Sequence, residues 1–126
     1  MIATKETVDF LVAYYAEMET GDQDRYGKYY ADDISLTFSN NPPINGRDAV
    51  LDAYAGVLSS VKKVEHVFSN VWEEDEGTVI FEAKSIYHMP DGSIKETFAG
   101  AVFKVLDGKF VEQRIYVDMA PVFGEG

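Results

Sequence analysis

The stretch IKETFAGAVFKVLDGKFVEQRIYVD, residues 94–118, decides the fold. Two runs rich in β-branched and aromatic residues, 94–106 and 109–118, flank Asp107-Gly108. An Asp-Gly pair reaches positive φ easily and suits a two-residue hairpin between twisted strands. Upstream, Asp91-Gly92 separates this hairpin from a run at 77–89, and Glu74-Asp75-Glu76 separates that run from 64–73. The pattern predicts a meander of four long antiparallel strands, with the acidic segment Glu73-Glu74-Asp75-Glu76-Gly77 as a solvated hairpin tip.

The first half of the chain reads differently. Val8, Leu11, Val12, Tyr15 and Glu19 mark a helical period from Lys5 to Thr20, with Phe10, Tyr14 and Met18 as an adjacent stripe. Thr4 is the natural N-cap, and Gly21 suits a left-handed residue at the other end. Asp22 caps a short second helix through Tyr30, on which Tyr26, Tyr29 and Tyr30 form a packing face. Ile34 to Phe38 alternates as a strand and stops at Asn40-Asn41-Pro42-Pro43. Gly46-Arg47-Asp48 opens a third helix with Val50, Leu51, Tyr54, Val57, Leu58 and Val61 on one face. Helices first and strands last predict an α+β fold in which a curved sheet wraps a helical layer.

At 126 residues the chain has room for one core, so a single domain over 1–126 is expected. With 22 acidic against 11 basic residues, the net charge of −11 opposes nucleic acid and anionic membranes, both of which recruit cationic surfaces. The absence of cysteine excludes disulfides, thiolate metal sites and a cysteine nucleophile. The apolar run Phe10 to Ala16 is short, acidic-flanked and without a basic leader, so neither a signal peptide nor a membrane span is expected, and the cytoplasm is the expected location. With only His66 and His88 available, no spacing predicts a metal site, and no cofactor is implied.

The element order, together with Tyr14…Gly21-Asp22, Tyr30-Ala31-Asp32-Asp33, Asn45-Gly46-Arg47-Asp48-Ala49-Val50 and the ending Asp107 to Asp118, resembles the NTF2-like superfamily, most of all its SnoaL-like branch. The resemblance spans nearly the whole chain. It implies a cone-shaped α+β barrel, N-terminal helices packed in a curved and mainly antiparallel sheet, an apolar pocket and a homodimer. It does not imply one reaction.

Ketosteroid isomerase, one such relative, would place its oxyanion-hole tyrosine on Tyr14, its carboxylate base on Phe38 and its protonated aspartate on Ala101. Limonene epoxide hydrolase would place its water-positioning tyrosine and asparagine on Phe38 and Asn40, its Arg-x-Asp pair on Glu82 and Lys84, and its second aspartate on Ile115. The SnoaL-type cyclases would use Ala101 and Ile115. The acid–base positions of these chemistries are therefore largely apolar here.

Strand alternation then sorts what remains. If Glu82 and Lys84 face inward, Ile80 and Ile86 share their face, joined by Ala101 and Phe103 and by Gln113, Ile115 and Val117. Arg114, Tyr116 and Asp118 fall on the opposite face, suited to a dimer interface. Glu82 and Lys84 would be the polar handle of the pocket, acting as acid or base with Tyr14 as hydrogen-bond donor; the competing reading is an ion pair at the wall or a solvated sheet edge. The pocket would be lined by Phe38, Asn40, Tyr54, His66, Ala101, Phe103, Gln113 and Ile115. His66 reads either as a pocket base or as a satisfied rim residue, on one face with Phe68, Asn70 and Trp72. The expected function is binding of a small apolar carbonyl-type molecule, by a cyclase, isomerase or hydrolase. The alternative is a non-catalytic ligand-binding or dimeric interaction domain.

Overall fold

Asp107 and Gly108 take φ of 53° and 75°, closing the last hairpin with the backbone twist that the sequence predicts. It joins β5 (Ile94–Leu106) to β6 (Lys109–Val117), and β4 (Thr78–His88) and β3 (Lys63–Glu74) extend the meander. The computed structural model describes residues 2–75 and 77–124, so Glu76 of the acidic tip lies outside the described residues. Strand β1 (Tyr30–Phe38) lies parallel to β6, and a two-residue β2 (Ile44–Asn45) pairs with β1. The six strands run in the order β2-β1-β6-β5-β4-β3, a curled sheet that does not close into a barrel.

Helix α1 (Lys5–Met18) starts where the Thr4 side chain accepts the Thr7 N–H, and Gly21 turns the chain at φ 75°. The expected second helix shortens to α2 (Gln23–Tyr26) followed by a 3-10 turn over Gly27–Tyr29, because Tyr30 already enters the sheet. Asp22 caps α2 through the Asp24 N–H. Helix α3 (Arg47–Ser59) buries Val50, Leu51 and Tyr54, and a short α4 (Ala120–Phe123) follows the last strand. None of the described helices is long and apolar enough to cross a membrane.

The sheet's concave face and the helices enclose a core dominated by rings, with Tyr14 against Phe110 at 4.7 Å and Phe81 against Phe103 at 4.9 Å between centroids. Edge-to-face packing of this kind adds to the burial of large apolar surfaces. A smaller cluster, Val61, Val64, Tyr87 and Val122, gathers at the other end of the concavity, where α4 docks. On the convex side Phe98 (74% exposed), Tyr116 and Val67 stand out of the sheet.

One turn is held by contact with its neighbour strand. Gly77 has φ 88°, and its carbonyl accepts the Val105 N–H at 2.8 Å. A Cβ there would lie 2.3 Å from the Val105 carbonyl oxygen, which is backbone and cannot swing aside. Gly77→Ala is therefore expected to lower unfolding free energy by about 1–3 kcal/mol in urea titrations, with wild-type stability as the contrary result.

Candidate functional site

Between the two apolar clusters the concave face carries Ala83, Ala99, Ala101 and Ser85, small side chains in neighbouring rows of β4 and β5. Opposite them stand Tyr15 and Met18 from α1 and Tyr54, Val57 and Leu58 from α3. Small residues facing large ones leave a cavity of about 440 Å³. Phe81 and Phe38 lie at its deep end, and Met119 and Phe123 line it from the C-terminal segment.

The structure places the predicted residues unequally. Phe38, Tyr54, His66, Ala101 and Ile115 line the cavity. Phe103 and Gln113 point inward but are fully buried in the core beyond its wall. Tyr14 is buried there too, its hydroxyl 2.6 Å from that of Tyr30, so it has a protein partner instead of facing a ligand. Asn40 is exposed in the turn after β1, and its neighbours Ser39 and Asn41 reach the cavity instead.

Glu82 and Lys84 are the principal correction. Phe81 lies directly across from Ala101 and Ala83 from Ala99, so the inward set of β4 is Val79, Phe81, Ala83, Ser85 and Tyr87. Cross-strand partners share a face, and a slip of one residue reverses a whole strand. Glu82 and Lys84 thus stand on the convex face with Ile80 and Ile86. Glu82 accepts from the Asn70 side chain, and Lys84 meets Glu96 at 3.7 Å. Being hydrated, they avoid the cost of two charges in an apolar cavity. A register shift between Phe68 and Asn70 similarly splits the face expected for β3, leaving His66 and Phe68 inside and turning Asn70 and Trp72 outward.

His66 is held by a group that the sequence reading did not select. Glu19, at the end of α1, accepts two hydrogen bonds on Oε2 at 2.9 Å, one from the His66 backbone N–H and one from its Nδ1. Strand β3 is an edge of the sheet, so that N–H has no neighbouring strand on its outer side and the carboxylate supplies the acceptor. The imidazole packs on Tyr15 at 4.5 Å between centroids. Its register partner is Ser85, and Tyr87 follows two residues along the same face. The Tyr87 hydroxyl's contact with Met119 Sδ is long, at 4.0 Å. Burial raises the Tyr87 pKa above the usual 10.0, with Ser85 opposing in part, so the hydroxyl keeps its proton at neutral pH. Among the described residues no three His, Asp or Glu side chains gather in a way that could hold a metal ion.

At the deep end, the Tyr54 hydroxyl donates to Gln113 Oε1 at 2.5 Å, and Gln113 Nε2 has no partner among the described residues. Burial pushes Tyr14 up to about 12, with the hydrogen bond to Tyr30 opposing it in part.

With this geometry in view, residues 11–113 match the SnoaL-like domain. The chain belongs to the SnoaL-like family. No curated protein matches the chain significantly. Among solved structures, a SnoaL-like polyketide-cyclase homologue from Jannaschia sp. CCS1 superposes with a TM-score of 0.80 at 16% identity, over 100% of this chain and 99% of that one. The epoxide hydrolase/cyclase-like enzyme SalBIII, which acts in pyran ring formation in salinomycin, gives 0.80 at 15% identity, over 93% and 94%. A protein of ketosteroid isomerase-like fold from Catenulispora acidiphila, bound to trimethylamine, gives 0.80 at 14% identity, over 95% and 91%. At these identities the likeness is one of fold.

The buried phenols set an alkaline limit. Tyr15, Tyr30 and Tyr54 are raised by burial in the same direction as Tyr14, so all four favour the neutral form more in the folded than in the unfolded chain. Their contribution is complete below the unfolded value of 10.0 and is lost as pH climbs through the folded values, about 12 for Tyr14. Circular dichroism and phenolate absorbance followed together should show these tyrosines ionising with unfolding. Their ionisation near pH 10.0 in a chain that keeps its native spectrum would contradict that burial.

Proposed function

We propose that this SnoaL-like chain binds a small, neutral, mainly apolar molecule bearing a carbonyl or similar oxygen. The observation that carries the reading is the lining of the cavity. It is aliphatic and aromatic over most of its surface, and among the described residues no Lys, Arg, Asp or Glu lines it. Apolar walls with a few placed polar groups are the usual form of a small-molecule site. Ser85 and the Tyr87 hydroxyl are donors suited to a ligand oxygen, in the role that the resemblance to ketosteroid isomerase would have assigned to Tyr14. The cyclase-like and isomerase-like character of the structural relatives agrees with a carbonyl or epoxide compound as ligand.

The neutral bicyclic ketone 2-tetralone is a suitable probe. Calorimetry should detect its binding to the wild type. Ala99→Leu or Ala101→Leu, which fill the cavity from its sheet wall, should weaken binding at least about tenfold, the equivalent of about 1.4 kcal/mol. A folded variant with unchanged affinity would put the ligand elsewhere, and no binding to the wild type would defeat the reading.

We also propose that the convex face pairs with a second copy of the chain. Phe98, Tyr116 and Val67 are exposed there at 74%, 52% and 51%. Lys84 stands between Val67 and Phe98 as the register partner of both, Gly100 is the partner of Tyr116, and the Ile80–Val102 pair follows in the row beyond Tyr116. Exposed aromatic side chains of this kind are enriched at interfaces. Light scattering should report a dimer for the wild type and a monomer near 14.1 kDa for Phe98→Glu. A monomeric wild type would end the proposal.

A further inference from the structure

The geometry points to Glu19 and His66 as an acid–base pair that moves a proton on the bound ligand, an inference that rests on the ligand reading above. The roles follow from the hydrogen bonds. Carboxylates accept, so the nitrogen facing Glu19 Oε2 at 2.9 Å is the protonated one, Nδ1–H. A neutral imidazole then carries its lone pair on Nε2. That nitrogen has no hydrogen-bond partner among the described residues, and His66 lines the cavity. The second bond, from the His66 backbone N–H to the same Oε2, fixes the carboxylate on the strand that carries the ring. Tyr15 packs against the ring at 4.5 Å and limits its rotation. A base oriented by a carboxylate, on a ring that lines a cavity and has one nitrogen unpartnered among the described residues, is an arrangement suited to proton transfer.

The donors for the other half of the reaction lie alongside. Ser85 faces His66 directly across the β3–β4 ladder, where partners' Cβ atoms stand about 4.5–5.5 Å apart. Tyr87 is the next inward residue on β4. A carbonyl oxygen held by these hydroxyls puts its α carbon within reach of Nε2. Nε2 takes a proton from that carbon. The C–H electron pair becomes the carbon–carbon π bond, and the carbonyl π pair moves onto oxygen, where Ser85 and Tyr87 donate to it. The imidazolium is balanced by the Glu19 carboxylate. Return of the proton from Nε2 to the same carbon, or to a conjugated one, restores neutral His66 and consumes nothing else. In this scheme His66 is the catalytic residue and Glu19 the positioning residue.

The first measurement needs no ligand. Nitrogen-15 spectra of the neutral wild-type protein should show His66 in the Nδ1–H tautomer, and the Nε2–H tautomer would overturn the proposal. In Glu19→Ala the signature should relax toward a mixture of tautomers, a change that loss of packing alone does not produce. The second uses 2-tetralone in deuterium oxide, with exchange of its α protons followed by proton spectroscopy and its binding by calorimetry. The wild type should speed exchange beyond an equal concentration of free imidazole. His66→Gln should lose about 10²-fold or more of that acceleration while still binding the ketone. Wild-type exchange rates in a folded, ketone-binding His66→Gln protein overturn the role of His66. Binding by the wild type without accelerated exchange overturns the proton-transfer proposal and leaves the ligand reading standing. Absence of binding defeats the ligand reading itself, with the tautomer measurement still deciding how the imidazole is held.

Discussion

A bent sheet must fill its concave side, and in this chain the filling is uneven because side-chain size changes along the strands. At the deep end Phe103, Phe110, Tyr14 and Tyr30 are packed with almost no exposure. Over the next three rows Ala101, then Ala99 with Ala83, then Ser85 withdraw the sheet's surface by several carbon atoms each. Helices α1 and α3 cannot follow it inward, since their positions are set by the rings below, through Tyr15 and Met18 on one and Leu51 and Tyr54 on the other. Close-packed interiors do not relax to close such gaps. The cavity is thus a consequence of where the rings stop and the alanines begin. The same contrast explains why the apolar residues divide into two clusters, the second held by Val122 of α4.

The edge of the sheet supplies the polar counterpart. Edge strands expose unpaired N–H groups that a fold must cover. Here Ile2 and Ala3 cover one part of β3, through a bridge to Trp72 and a hydrogen bond to the Val71 carbonyl. The Glu19 carboxylate covers another part at His66. A requirement of the backbone therefore brings a carboxylate beside an imidazole at the seam between α1 and the sheet. The register shift at Phe68 and Asn70 then has a functional side. It keeps His66 facing the cavity and Phe68 on the core while Trp72 turns to the convex face, so one strand serves both surfaces.

How far the sequence discloses this depends on whether one physical signal dominates at each place. The meander, α1, α3 and the inward set Ala101, Phe103, Gln113 and Ile115 are legible because Asp107-Gly108 fixes a register and the helical stripes are long. Strand β4 is not, since both of its phases are apolar, Val79, Phe81, Ala83 and Tyr87 against Ile80 and Ile86. Cross-strand pairing decides between them, and carrying over an Arg-x-Asp pair from a distant relative chose the wrong phase. The shift near Ser69 has no Gly or Pro to mark it. Strand β2 and helix α4, two and four residues long, are too short for any period to register. Glu19 did leave a trace: it is the one carboxylate within the stripe Val8, Leu11, Val12, Tyr15. A charge in an apolar stripe asks which partner it meets, and that partner, His66, lies 47 positions away.

The sorting of charge between the two faces bears on ligand chemistry. Glu82 and Lys84 occupy the convex face, where water screens them, and the polar groups of the described residues that line the cavity can all be neutral, among them His66, Tyr87, Ser85, Ser39 and Asn41. An ionised side chain inside it would need a fixed counter-charge or would lose its proton equilibrium to burial. Glu19 meets that condition from behind the imidazole, partly in solvent. An anionic ligand would enter a chain of net charge −11 and find no Lys or Arg among the described lining residues to pair with, so its desolvation would be poorly compensated. A neutral ligand faces no such penalty, and any negative charge that develops on its oxygen arises beside donors that are already in position. The cavity is therefore better matched to charge created during a reaction than to charge brought in with the ligand.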